Sequence, residues 1–158
     1  MLVMTKRPGA RFEPDAGAFI ASLANAYANT EEVRSLASGI VNSTPAAWTP
    51  ASYDHAARKL YGAVKRRFRF VPDRGEYLLG FEDVRNPDRW TGDCDDAVLI
   101  LGSLASSVGI PSEVLVVGNN EEAYHAALKM NGAVYDVTGV ISPLRLFKVW
   151  GVYPIEER

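Results

Sequence analysis

The sequence predicts an α+β fold: N-terminal helices and a central buried, cysteine-bearing helix packed on an antiparallel sheet. Three observations predict it. Apolar residues recur at helical spacing before residue 70. The stretch 94–108 is apolar on most sides and is stopped by Gly109 and Pro111, as a buried helix would be. Short apolar runs then follow, two of them joined by Asn131-Gly132, the strongest short hairpin signal. Helices first and strands last is an α+β order.

The elements follow in turn. Residues 1–14, rich in proline, glycine and charge, read as a flexible arm, and 15–158 as one domain. Over 15–28, Phe19, Ile20, Leu23 and Tyr27 mark an amphipathic helix. Thr30 is placed to cap a second helix, with Glu31 and Glu32 in its first turn and Val33, Leu36 and Ile40 on its apolar side. The turn-rich stretch 42–50 links it to a third helix over 53–67, capped by Ser52, with Leu60, Tyr61, Val64 and Phe68 inward. Arg58, Lys59, Lys65, Arg66 and Arg67 form its solvated face. His55, near its start, reads as a surface residue. Residues 68–71 read as a short edge strand rather than a nucleic-acid platform, although Arg67 and Arg69 alternate there with Phe68 and Phe70. Residues 72–92 read as one long polar loop. Strands are expected at 112–117, 124–130 and 133–138, with a turn and short strand within 141–153.

Composition bounds the function. Of 158 residues 47% are hydrophobic and 23% charged, and the formal net charge is −2. Bulk electrostatics gives no push toward nucleic acid or an anionic membrane. One cysteine excludes an internal disulfide and makes a reducing compartment the default. The stretch 1–15 has no apolar run of signal-peptide length, and no segment nears the roughly 18 residues that span a bilayer. Asn42-Ser43-Thr44 matches a glycosylation acceptor by chance on this reading.

The chemistry centres on Gly92-Asp93-Cys94-Asp95-Asp96. Asp93 is a good N-cap, and Asp96 falls where a capping box needs an acceptor. Cys94 then heads the helix, where backbone N–H groups favour a thiolate, the form that attacks a carbonyl. Three carboxylates oppose that charge, and the helix terminus contributes only about 0.3–1 kcal/mol, or up to about 2 when partly buried. An imidazolium would tip the balance. The hairpin supplies one. A two-residue Asn131-Gly132 loop pairs Met130 with Ala133, so His125 and Asp136 share a face as diagonal neighbours, about 7–8 Å apart at the backbone. A register slip of one residue would separate them. A carboxylate so placed fixes the imidazole tautomer, as in catalytic triads. The aspartate cluster reads as helix capping, since the ligand spacing of a calcium loop is absent; neither metal nor cofactor is expected.

From residue 33 to 139 the chain resembles the transglutaminase-like, papain-like domains encoded by tailed phages and prophages. The resemblance rests on the 60–71 segment, Arg74-Gly75-Glu76 with Leu78, Gly92-Asp93-Cys94-Asp95-Asp96, Gly109-Ile110-Pro111, Tyr124-His125-Ala126 and Tyr135-Asp136-Val137-Thr138. It implies a Cys94–His125–Asp136 triad and a thiol acyl-transfer site of peptidase, amidase or transglutaminase type, acting on a peptide or protein amide. As the alternative, it admits a phage structural or assembly protein that keeps the fold and binds other virion proteins. The setting implied is a bacterial cytoplasm or a virion, with neither nucleic acid nor membrane as partner. Phe70 stands where relatives often carry tyrosine, so a hydroxyl is missing there. Substrate contacts are expected chiefly from the loop before Cys94, with Trp90 and Tyr77 lining the cleft.

Overall fold

The computed structural model describes residues 2–3, 15–42, 49–71, 77–121, 123–139 and 147–156. It is an α+β architecture. Three helices come first: α1 (Asp15–Ala28), α2 (Glu31–Val41) and α3 (Pro50–Arg67). Thr30 caps α2 by accepting the Val33 N–H, and Glu31 and Glu32 sit at the positive end of its dipole. The helix ends at Asn42 in the left-handed region. Its buried residues are Val33, Ala37 and Val41, while Leu36 and Ile40 are half-buried.

The third helix starts earlier than predicted. Thr49, not Ser52, is its cap, and Thr49 Oγ accepts the Ser52 N–H. Pro50 takes the first helical position, where its missing N–H costs nothing. Ala56, Ala57, Leu60 and Val64 are buried, and the predicted charged face and His55 are exposed.

The stretch 72–92 is not one loop. Beyond residue 76 it holds β3 (Tyr77–Leu78), α4 (Phe81–Val84), a 3₁₀ turn (Pro87–Arg89) and β4 (Thr91–Gly92). The predicted edge strand is β2 (Arg69–Phe70), which pairs in parallel with β4. Within the predicted N-terminal arm, β1 (Leu2–Val3) pairs antiparallel with β3. The rest of that arm, the linker at 43–48, Arg74-Gly75-Glu76 and 140–146 lie outside the described residues.

The buried helix α5 (Cys94–Ser107) leads through Gly109 and Pro111 into β5 (Ser112–Gly118), β6 (Ala123–Met130) and β7 (Ala133–Tyr135). With β8 (Lys148–Ile155) these form one antiparallel sheet in the order β7-β6-β5-β8. Asn131 and Gly132 both adopt positive φ, and Met130 pairs with Ala133 as the hairpin register requires. The strand expected to reach residue 138 stops at Tyr135. Asp136 Oδ1 accepts the Thr138 N–H and hydroxyl, which turns the chain out of the ladder.

Helices α1 and α5 cover one face of the sheet. Gly17 and Gly102 allow the close approach: a Cβ on Gly17 would collide with the Tyr153 ring, and one on Gly102 would lie 2.7 Å from Ile155 Cδ1. The four-residue connection 108–111 reverses the chain, so α5 runs against β5 and along β6. Gly102 faces Leu128. Eight residues back along the helix is about 12 Å, and three residues back along β6 about 10 Å. Cys94 and His125 therefore lie toward the same end of the helix–sheet layer. Among the described residues, no helix is long and apolar enough to cross a membrane.

Candidate active site

The segment leading into α5 is built around its carboxylates. Asp93 caps the helix by accepting the Asp95 N–H at 3.1 Å, and Asp96 Oδ2 accepts the Asp93 N–H at 3.1 Å. This is the capping box that the spacing predicts. Asp96 Oδ1 also accepts the Leu79 N–H at 3.0 Å, tying the end of β3 to the first turn of α5. Gly92 has φ +148°, and a Cβ there would strike the Asp96 carboxylate. Structural causes thus account for Gly92, Asp93 and Asp96.

Cys94 occupies the first helical position and is 9% exposed. Its thiol donates to Asp95 Oδ1 at 3.5 Å, and Asp95 is itself buried. Burial, reinforced by Asp93 and Asp95, raises the Asp96 carboxyl to about 8, against the pull of its two backbone donors. At neutral pH Asp96 is therefore mostly protonated, and one of the three carboxylates that would oppose a thiolate is neutral. Among the described residues, Asp93, Cys94 and Asp95 bring one ligand atom each within 4.8 Å of one another, a group that could hold a cation.

His125 lies in the first half of β6, next to an irregularity in its pairing with β5. Its Nε2 meets Asp136 Oδ2 at 2.9 Å, and the two side chains are 3% and 7% exposed. Asp136 Oδ1 is held by the N–H and hydroxyl of Thr138 at 3.2 and 2.9 Å. Each carboxylate oxygen thus has its own partner, which fixes the orientation of the group. With Nε2 donating to Asp136, Nδ1 is the nitrogen left to act as a base.

Sequence reasoning brought His125 and Asp136 together through the hairpin register, and they meet. It placed Trp90 in a cleft. The indole is instead 1% exposed and donates to the Val84 carbonyl at 2.8 Å, so it belongs to the core. The polar, proline-interrupted stretch around it hid that burial. The backbone of Tyr77 lies in β3; its side chain is outside the description. Thr138 was read only as part of the Tyr135-Asp136-Val137-Thr138 motif, although a hydroxyl two residues after an aspartate is the local signal for such a turn.

A helix opening with buried Cys94 and Asp95, on an α+β frame, is compatible with a cysteine hydrolase. The fold is similar to the crystal structure, at 2.00 Å, of a "putative protease" from Parabacteroides distasonis ATCC 8503. The TM-score is 0.50 and the identity 15%, over 77% of this chain and 26% of that one. The chain thus spans about a quarter of that protein, and the likeness bears on the fold alone. No protein-family model matches the chain, and no curated protein matches it.

Proposed function

We propose that the chain is a transglutaminase-like cysteine hydrolase, a peptidase or amidase acting through Cys94, His125 and Asp136 and encoded by a phage or prophage. The observation that carries the reading is the buried 2.9 Å contact between His125 Nε2 on β6 and Asp136 Oδ2 just past the end of β7. A buried carboxylate orienting an imidazole is costly to keep without a task. The phage setting rests on the sequence resemblance.

In this mechanism Nδ1 of His125 takes the Cys94 proton, and Asp136 stabilises the resulting imidazolium. The thiolate attacks an amide carbonyl, with the Cys94 backbone N–H as one oxyanion donor. His125 returns the proton to the leaving amine, and water resolves the thioester. Alternation along β6 gives His125 the parity of Ala127, whereas Leu128 faces α5. The proposed mechanism therefore requires Cys94 to approach the imidazole over the end of β6, beside the irregular pairing and beyond the reach of β7.

Burial of Cys94 favours a second reading, a phage structural or assembly protein that keeps the fold as a binding module. Two experiments separate them. Cys94→Ala should cut hydrolysis of a mixed fluorogenic peptide pool by about 10³-fold or more without moving the unfolding midpoint. Cys94 in the folded protein should also react with iodoacetamide at neutral pH. Alkylation seen only after unfolding would favour the binding module.

A further inference from the structure

Asp136 stands just past the last residue of β7, where its carbonyl accepts the Gly139 N–H at 3.3 Å. Its carboxylate is fixed by His125 and Thr138, yet a carboxylate is only as steady as the backbone beneath it. A residue from a distant helix reaches that backbone. Tyr61 of α3 donates its hydroxyl proton to the Asp136 carbonyl at 3.3 Å. Lys65, one turn further along α3, donates to the Tyr61 hydroxyl at 3.1 Å. A phenol oxygen that accepts from an ammonium keeps its own proton for the carbonyl, so the chain Lys65 to Tyr61 to Asp136 has one direction. The Tyr61 ring packs on Tyr135 at 5.2 Å between centroids, which holds the phenol over the strand end.

We infer that Tyr61 is a positioning residue for the His125–Asp136 pair, with Lys65 orienting its hydroxyl. It acts through the Asp136 peptide and need not touch substrate. The inference rests on the proposed hydrolase for its consequence in turnover, but the geometric claim can be read without turnover. The chain has two histidines, so His55→Asn assigns the imidazole signals by difference.

The test is proton NMR of the full chain, following the low-field Nε2–H resonance of His125, in Tyr61→Phe and Lys65→Met. Phenylalanine keeps the ring against Tyr135 and removes only the hydroxyl. The resonance is expected to move upfield and exchange faster with water in Tyr61→Phe, and to a smaller extent in Lys65→Met. On the peptide pool, kcat should fall about tenfold with KM unchanged. An unmoved resonance, even with a lower unfolding midpoint, would reduce Tyr61 to a packing residue and overturn the inference. A moved resonance in a protein whose hydrolysis survives Cys94→Ala would sustain the positioning role while removing the hydrolase.

Discussion

Gly92 shows how a single position can be demanded by a contact rather than by local geometry alone. Its φ of +148° suits glycine, and the space a Cβ needs is taken by the Asp96 carboxylate. Gly92→Ala should therefore cost about 2–4 kcal/mol, read from urea unfolding. An exposed glycine with positive φ and open space, such as Gly139, should cost less when changed to alanine. The sequence shows Gly92 only as the first letter of a motif, because the atom it yields to arrives through the turn of α5. By contrast, the Asp93 cap and the His125–Asp136 pair are legible in advance. One depends on spacing within four residues, the other on the register of a two-residue hairpin. Tyr61 reads as one more apolar position on α3, since its hydroxyl acts on a carbonyl 75 residues away.

Among the elements, α3 offers the plainest correction. Both Thr49 and Ser52 are plausible caps, and Pro50 decides between them. Once proline occupies the first helical turn, the cap must precede it. Thr49→Ala should destabilise the protein by about 1 kcal/mol, and Ser52→Ala by no more than about half of that, in matched urea melts. An equal loss at both positions would contradict the assignment. The segment before Cys94 was illegible for a different reason. Its elements run two to four residues each, too short for any periodicity, and they are held by tertiary contacts such as Leu79 N–H to Asp96 and the parallel pairing of β2 with β4. The shortening of β7 is also a competition, won by the Asp136 side chain over the ladder.

For the molecule as a whole, Asp96 links stability to pH. Its folded carboxyl titrates near 8, against about 3.9 in the unfolded chain. The folded state thus holds the proton that the unfolded state releases between those values. This contribution is fully present below about pH 4 and is lost as pH rises through about 8. Urea midpoints should accordingly fall from pH 5 to pH 9. Asp96→Asn, which keeps one good acceptor for two backbone donors, should be less stable than the parent at pH 5 by about 1–3 kcal/mol. That gap should narrow toward pH 9; a widening gap would show that the carboxylate is ionised throughout. At this scale the α+β order was readable, from helices first and an Asn-Gly ribbon last. The position of β8 beside β5 was not, because nothing local in a chain records which edge of a sheet its final strand will join.

That edge has a bearing on how the molecule comes into being. Bare Gly17, near the start of α1, lies under the ring of Tyr153 in the last strand. During synthesis the first helix emerges from the ribosome long before the surface it is shaped to meet. Until translation delivers that strand, α1 lacks its seat on β8, and the opening helix is obliged to wait for nearly the whole described chain.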